Sequence, residues 1–133
     1  MPETARVDSS ASLGSSFAAA LALKDFDRVR DLLHPEVDFR GLTPSRFWEA
    51  EDAETVVSGV LRQWFEDDDE VLELLRVETA VIADRERVGY RFLVRNPEGL
   101  FEVEQQCFIG ERDGRIGWMR TVCSGFRPVE GER

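Results

Sequence analysis

The 133-residue sequence has few of the residues from which metal centres and nucleophilic triads are built. It has one histidine, His34, two cysteines, Cys107 and Cys123, and one lysine, Lys24. The cysteines form no CxxC pair and have no neighbouring histidine, so the usual zinc spacings are absent. No stretch approaches the roughly 18 apolar residues of a membrane span, and GxGxxG, Walker and GxSxG motifs are missing. We therefore expect no metal, no cofactor and no membrane segment.

Basic residues are scarce relative to acidic ones. Seventeen Lys and Arg stand against 27 Asp and Glu, for a formal net charge of -10. Such a field repels phosphate backbones and anionic lipid surfaces, so neither nucleic acid nor a membrane is expected as a partner. The acidic run at 66–70 lacks the spaced glycine of a calcium loop, and we interpret it as a solvated helix end. The first residues lack a secretion signal, which predicts a cytoplasmic protein.

Length and composition predict one globular domain. The sequence is 42% hydrophobic and 33% charged, too apolar for a disordered chain, and it is too short for two domains with separate cores. Residues 1–11 are polar without periodicity and are expected to be a flexible lead-in. The domain is placed at 12–128, with a C-terminal tail at 129–133.

Apolar residues at helical spacing predict three helices in the first half of the chain. Ser12 caps the first, Asp25 or Asp27 caps the second, and Asp52 caps the third. A short strand at 37–40 follows the second helix, and 41–52 is expected to be an unusually apolar loop. The three apolar stripes are Leu13, Phe17, Ala20 and Leu21; Phe26, Val29, Leu32 and Leu33; and Val56, Val57, Val60, Leu61, Trp64 and Phe65.

After residue 70 the apolar period changes from 3.6 to 2, which predicts four antiparallel strands at about 71–83, 87–96, 100–111 and 115–126. Burying the charged face of the sheet would leave unpaired charges in the interior. The other face is therefore predicted to meet the helices. That inner face comprises Val77, Thr79, Val81, Val88, Tyr90, Phe92, Val94, Val103, Gln105, Cys107, Ile109, Met119, Thr121 and Cys123. The outer face comprises Arg76, Glu78, Arg87, Arg91, Arg95, Glu102, Glu104, Gln106, Trp118 and Arg120.

The turn at 112–114 decides which residues face each other across the last two strands. A three-residue turn with a left-handed Gly114 predicts Met119 opposite Cys107 and Thr121 opposite Gln105. This register sets Cys107 and Cys123 about four residues out of step, roughly 13 Å along the strands, so both are expected to be free thiols.

Three segments resemble the nuclear transport factor 2-like (NTF2-like) superfamily, particularly its SnoaL-like and ketosteroid-isomerase-like members. They are FAAALALKDFD at 17–27, LLHPEVDF at 32–39 and DGRI at 113–116, and the resemblance covers roughly 12–128. It implies an α+β, cone-shaped fold in which three N-terminal helices pack on a curved, mostly antiparallel sheet around a deep pocket. Known members include isomerases, cyclases, dehydratases, epoxide hydrolases and noncatalytic subunits, so the resemblance indicates a fold rather than one activity.

The catalytic positions of these relatives are occupied differently here. At the ketosteroid-isomerase positions this chain has Phe17 for the tyrosine, a position at or next to Gly41 for the base, and 105–107 for the acid. An epoxide-hydrolase-like set keeps Arg87, but its acids become Gly89 and Thr121. None of these replacements can carry the acid–base chemistry of those enzymes.

Other acid–base candidates are few. Dehydratase-like chemistry relies on pocket histidines, and His34 is expected instead to interact with the end of the second helix. A SnoaL-like cyclase needs a pocket acid, for which Asp38 and Glu104 are the nearest candidates, although alternation turns both away from the apolar face.

The residues expected to line a pocket suit a flat, mostly apolar molecule with one or two oxygens. Tyr90 and Gln105 are candidates to polarise a carbonyl, and an enclosed cavity of a few hundred Å3 is expected near Trp64 and Tyr90. The candidate ligand-binding residues are Phe17, Trp48, Trp64, Tyr90, Phe92, Gln105, Cys107, Met119, Thr121 and Cys123.

The alternative to a small-molecule site is a noncatalytic homodimer, joined through an outer-face patch of Trp118, Val122 and Phe126.

Overall fold

A computed structural model describes residues 12–129 of the chain. The expected lead-in at 1–11 and most of the tail lie outside these residues. Helix α1 spans Leu13–Ala22, and the Ser12 side chain caps it by accepting a hydrogen bond from the Ser15 amide. Helix α2 spans Phe26–Leu32 and is capped by Asp25, one of the two predicted residues. Within 12–129 no helix is long and apolar enough to cross a membrane.

The third helix confirms the predicted cap and stripe but not the predicted hydrogen-bond pattern. Thr55–Leu61 is π-helical and Arg62–Trp64 is α-helical, and together they are called α3. The Thr55 amide donates to Asp52 Oδ1 at 2.7 Å, which caps the helix as expected. All six stripe residues, from Val56 to Phe65, are buried. The helix therefore covers a core, and its π turn places one more residue in the turn than an α-helix would.

Within residues 12–129, seven strands form one sheet against these helices. They are β1 (Leu33–Thr43), β2 (Arg46–Ala50), β3 (Glu70–Ile82), β4 (Arg85–Asn96), β5 (Gly99–Arg112), β6 (Arg115–Cys123) and β7 (Arg127–Pro128). The strand order is β2-β1-β6-β5-β4-β3, with β7 paired to β5. Only β1 and β6 pair in parallel among these strands. The domain is thus α+β, with a mostly antiparallel sheet.

The segment predicted as an apolar loop is a strand hairpin instead. Strand β1 continues to Thr43, and β2 returns beside it, with Leu42 opposite Phe47 and Thr43 opposite Arg46. The connection is a two-residue turn at 44–45, which is the shortest common hairpin loop. The prediction was wrong because it gave more weight to the turn residues of this segment than to the alternation of apolar and polar residues on either side of the turn.

The predicted register of β5 and β6 is wrong by two residues, yet the same faces point inward. Asp113 and Gly114, both with positive φ, form a two-residue turn, and a bulge lies between the Gly110–Trp118 and Glu111–Ile116 pairs. Gly117 is the extra residue of this bulge, and a Cβ there would clash with Arg112 Cβ. The turn and the bulge each shift the register by one residue. Because side chains alternate with period two, the two shifts together preserve the faces.

The predicted inner face holds for β4, β5 and β6 but not for most of β3. Val88, Tyr90, Phe92 and their neighbours on that face are buried, whereas Val77 is 37% exposed and Val81 is 79% exposed, and Thr79 is exposed as well. Strand β3 is the sheet edge, and the C-terminal end of α1 lies beside its first residues, Val71 to Leu74. The N-terminal end of α1 lies over β4 instead, where Gly14 packs against Val88, the partner of Thr79. The second half of β3 is therefore left open.

The acidic run at 66–70 is organised by the only lysine rather than being simply solvated. Lys24 Nζ donates to the backbone carbonyls of Glu66 and, at 2.7 Å, Asp69. The Asp69 carboxylate is buried and accepts from the Glu66 amide at 2.8 Å and from Asn96 Nδ2 at 3.0 Å. The ammonium group of Lys24 thus stabilises the turn that leads from α3 into β3.

Candidate functional site

A small polar cluster lies on the inner face of the sheet, surrounded by apolar side chains. Tyr90 on β4 is directly opposite Gln105 on β5, and Cys107 on β5 is directly opposite Thr121 on β6. The Tyr90 hydroxyl donates to Gln105 Oε1 and lies 3.5 Å from Cys107 Sγ, and Thr121 Oγ1 donates to that sulfur at 3.3 Å. We call these four residues the polar cluster.

Aromatic side chains enclose the polar cluster from the helix side and along the sheet. The rings of Tyr90 and Phe92 stack with centroids 5.0 Å apart, and Phe17 of α1 lies 6.4 Å from Tyr90. Both phenylalanines are fully buried. Met119 and Cys123, which face the same way on β6, are also buried. Nine of the ten predicted pocket residues are therefore in the buried interior, and Trp48 is half-buried.

A pair of tryptophans covers the inner face of β1. Trp64, from the end of α3, meets Trp48 of β2 edge-on with centroids 5.9 Å apart. The space for the Trp64 ring exists because Gly41 lies beneath it: a Cβ at Gly41 would be 3.0 Å from the indole. Gly41 is paired with Thr121 across β1 and β6, so the indole lies over the strand next to the polar cluster.

Two donor atoms in this interior have no hydrogen-bond partner among residues 12–129. They are Nε2 of Gln105, whose side chain is 1% exposed, and Nε1 of Trp64. Buried polar atoms in proteins nearly always find a partner, and an unpaired one costs about 1–3 kcal/mol. Sequence reasoning could identify both residues but not their missing partners, because pairing depends on rotamers and register rather than on residue type.

The polar cluster is uncharged near neutral pH. Burial raises the pKa of Tyr90 well above its usual value. Burial also raises the pKa of the Cys107 thiol to about 11, against the opposing effect of its hydrogen bonds with Thr121 and Tyr90. Thr121 and Gln105 do not ionise. The cluster can therefore donate and accept hydrogen bonds, but it holds no group that removes a proton at neutral pH.

The two cysteines lie closer together than predicted. Because Cys107 pairs with Thr121 and Gln105 pairs with Cys123, the cysteines are diagonal neighbours two residues apart rather than four. Both thiols are free and buried. A diagonal pair has its Cα atoms about 7–8 Å apart, beyond the usual range for a disulfide.

The acidic candidates lie on the opposite face of the sheet. Asp38 is half-buried and pairs with Arg120 at 3.2 Å, and Glu104 pairs with Arg91 at 3.1 Å. A hydrogen bond from Gln106 is the main cause of the lowered pKa of Glu104, to which Arg91 also contributes. Both carboxylates therefore lie on the outer face of the sheet, as alternation predicted.

His34 does not interact with helix carbonyls as expected, because the residue already belongs to β1. Its Nδ1 accepts from the Glu36 amide at 3.0 Å, and its Nε2 lies 3.3 Å from the Asp113 carboxylate. The side chain therefore links the start of β1 to the turn between β5 and β6. Within 12–129 there is no group of three or more side chains placed to hold a metal ion.

Open clefts lie at the surface of the described residues, and one of them, beside Leu42, Phe47 and Val122, also reaches Thr121 of the polar cluster. Five of them have volumes of about 190 to about 370 Å3, and none is lined by Tyr90, Gln105 or Trp64. The enclosed cavity expected beside Trp64 and Tyr90 is not among them. Both interior donors, Gln105 Nε2 and Trp64 Nε1, are buried in this conformation.

An apolar row crosses the outer face of the sheet. The strand register places Phe47, Leu42 and Val122 side by side on β2, β1 and β6, and they are 55%, 50% and 54% exposed. The predicted patch was different, since Trp118 is covered by Arg85 and Arg120 at 4.1 and 4.4 Å. Phe126 instead packs against Phe65 and Phe101. Phe47 was missed as an outer-face residue because its strand was not predicted.

Sequence comparisons find no relative, whereas structural comparisons do. No family model matches the sequence, and no curated protein matches it significantly. A proposed isomerase from Rhodopseudomonas palustris is similar with a TM-score of 0.68 and 16% identity, over 90% of this chain and 92% of that one. A proposed polyketide cyclase from Xanthomonas campestris gives 0.65 and 15%, over 83% and 86%. An NTF2-like protein from Burkholderia thailandensis gives 0.66 and 14%, over 84% and 88%.

Identities this low establish a shared fold and no shared activity. The similarity extends over most of both chains in each of the three comparisons. The resemblance noted at 17–27, 32–39 and 113–116 is therefore confirmed at the level of architecture. The chain has the α+β NTF2-like fold.

Proposed function

We propose that this protein binds a small, mostly apolar molecule inside the cone, against the inner face of β4, β5 and β6. The observation that carries the proposal is the pair of buried donors without partners, Gln105 Nε2 and Trp64 Nε1. In an otherwise apolar interior, such atoms supply the few polar contacts that fix the orientation of a ligand. The surrounding rings of Phe17, Tyr90 and Phe92 supply flat apolar area.

The comparisons support a ligand of the aromatic or polyketide-like class. Similar folds include proposed isomerases and polyketide cyclases. The polar cluster supports binding rather than proton abstraction by this chain, because its groups are neutral and Asp38 and Glu104 lie outside. We therefore propose that this chain is a binding protein. If it instead acts as a cyclase or isomerase, a product assay would detect the turnover.

Entry of the ligand would require a local opening, and the tryptophan pair is the best candidate for it. Trp48 is half-buried, and its Nε1 donates to Thr43 Oγ1 at 3.0 Å within the hairpin. The hairpin of β1 and β2 lies at one edge of the sheet, where it is paired on one side only. Movement of this edge would uncover Trp64 without disturbing β4 and β5.

The test uses 2-acetylnaphthalene, a flat aromatic ketone, with tryptophan fluorescence as the readout. We expect saturable quenching in the wild type, reduced in Trp64→Phe and retained in the matched control Trp118→Phe, because Trp64 borders the interior whereas Trp118 lies on the outer face beneath Arg85 and Arg120. Native mass spectrometry of protein purified from its own host should show a bound small molecule that denaturation releases. Absence of both saturable quenching and a retained molecule would overturn the proposal.

A second candidate, a homodimeric accessory module, is favoured by the outer apolar row. Phe47, Leu42 and Val122 lie beside charges that are already paired, Arg40 with Glu49 at 3.6 Å and Arg120 with Asp38 at 3.2 Å. A second copy could therefore approach this face without meeting unbalanced charge, despite the net charge of -10.

The dimer is tested by sedimentation at micromolar concentration. We expect the wild type at twice the chain mass and Val122→Arg at the monomer mass, because a charge within an apolar interface is costly. Val81→Arg is the matched control, since Val81 is equally apolar and 79% exposed but lies on the edge strand β3. A monomeric wild type would count against this candidate.

A further inference from the structure

The polar cluster is a directed chain of hydrogen bonds. Gln105 Oε1 can only accept, so the single hydroxyl hydrogen of Tyr90 is used there. The contact of 3.5 Å between Tyr90 and Cys107 must then use the thiol hydrogen. With that hydrogen committed, Cys107 Sγ accepts from Thr121 Oγ1 at 3.3 Å. One hydrogen per group therefore orders the chain as Thr121 to Cys107 to Tyr90 to Gln105.

This chain ends on a donor that has no acceptor. Each bond in a chain of this kind polarises the next, so the Gln105 amide becomes a better donor when its oxygen accepts from Tyr90. The amide orientation is fixed by that same bond, which directs Nε2 away from Tyr90. Nε2 is buried and has no partner within the described part of the chain. The chain is thus complete except for one acceptor beyond Gln105.

The surroundings determine the charge of that acceptor. Among residues 12–129 the buried polar or charged side chains are Asp69, Gln105 and Thr121, and Asp69 is held by Glu66 and Asn96. No buried cationic side chain in this part of the chain could balance an anionic ligand. Burying an unbalanced carboxylate would cost far more than one amide hydrogen bond returns.

We propose that the ligand of this site carries a neutral acceptor oxygen, such as a ketone carbonyl, which binds Gln105 Nε2. This rests on the proposed function and names the chemistry of its ligand. It also divides the roles of the two polar candidates: Gln105 contacts the ligand. Tyr90 is a positioning residue, because its hydrogen is already used on Gln105. Gln105 alone therefore polarises the carbonyl, and the prediction that Tyr90 also does so is replaced.

The experiment compares three flat probes of similar size by fluorescence titration. They are 2-acetylnaphthalene as the neutral acceptor, 2-isopropylnaphthalene without an acceptor, and 2-naphthoate as the anionic acceptor. We expect the wild type to bind the ketone about tenfold more tightly than the hydrocarbon, the effect of one buried hydrogen bond, and to bind 2-naphthoate most weakly. Gln105→Met, which keeps the side-chain length, should lose the preference for the ketone while still binding the hydrocarbon.

Tyr90→Phe separates positioning from packing. If Tyr90 only fills space, the variant should weaken ketone and hydrocarbon equally. If it orients the amide, the ratio of their affinities should fall while the affinity for the hydrocarbon stays within about twofold. Circular dichroism and thermal melts of both variants establish that they are folded, and the wild-type comparison does not depend on them.

The outcomes distinguish this inference from the proposed function. Equal binding of ketone and hydrocarbon by the wild type, or tightest binding of 2-naphthoate, would overturn the inference and leave small-molecule binding in place. Tighter binding of 1-(2-naphthyl)ethanol than of the ketone would mean that the amide presents its oxygen instead, which also overturns it. Failure of every naphthalene to bind would overturn the proposed function for ligands of this class, and the inference with it.

Discussion

Leu21→Ala is expected to lower the free energy of unfolding by about 3–5 kcal/mol. Leu21 is fully buried at the C-terminal end of α1, so truncation removes apolar area and leaves a cavity that the surrounding sheet can fill only in part. Small domains are typically stable by only about 5–15 kcal/mol, so the loss is a large share of the total. Urea unfolding followed by circular dichroism measures it.

Leu23→Ala is the matched control, two residues further along the same chain segment. Leu23 is 78% exposed, so the same chemical change should cost less than about 0.5 kcal/mol. The comparison isolates the effect of burial, since the same side-chain atoms are removed at a buried and at an exposed position. Equal losses in the two variants would contradict the placement of the α1 stripe against the sheet.

The Cys107 thiol is expected to react with a disulfide reagent at least about 100-fold more slowly in the native protein than in guanidinium, at about pH 8. Burial raises its pKa from 9.0 to about 11, which by itself lowers the thiolate population about 100-fold in the pH range below both values. Shielding by Tyr90, Thr121 and the helices adds to this, because the residue is fully buried. The rate should rise with pH until it is limited by opening of the domain.

The measurement requires a protein with one thiol. Cys123→Ser removes the second cysteine, so that all labelling reports on Cys107. The same variant unfolded in guanidinium gives the reference rate. Native labelling within tenfold of that reference would mean that the inner face opens readily, and the polar cluster could not then be treated as a closed interior.

Much of the architecture follows from local rules that this sequence obeys. Ser12, Asp25 and Asp52 cap the helices because their side-chain oxygens satisfy free amides at the first turn. The inward direction of Tyr90 and Phe92 follows from the cost of burying Arg91 and Glu104 instead. These properties depend on a few neighbouring residues and on charge, so the sequence alone is sufficient to predict them.

The register of the strands and the extent to which helices cover them depend on distant parts of the chain. For both of these the predictions were wrong. The bulge at Gly117 and the two-residue turn at Asp113 and Gly114 each shift the register by one residue, so together they preserve the faces. No local sequence pattern predicts the bulge. The exposure of Val77 and Val81 follows from the course of α1, whose N-terminal end packs over β4 rather than over the edge strand β3. Both features result from how separate elements fit together, which periodicity does not report.

The candidate site divides in the same way. Residue types and alternation were enough to select Tyr90, Gln105, Cys107 and Thr121 as inner-face groups. The order of their hydrogen bonds required the pairing of Tyr90 with Gln105 and of Cys107 with Thr121. The missing partner of Gln105 Nε2 could not be predicted, because it is a property of the assembled interior.

The position of Lys24 has a practical consequence for handling the protein. It is the only side-chain amine, and two of its hydrogens are used on the carbonyls of Glu66 and Asp69. Acylating reagents that target amines would therefore remove the charge and two donors that hold this turn. Dyes and surface tethers are better attached through a thiol introduced at an exposed position such as Val81, where coupling leaves the junction between α3 and β3 intact.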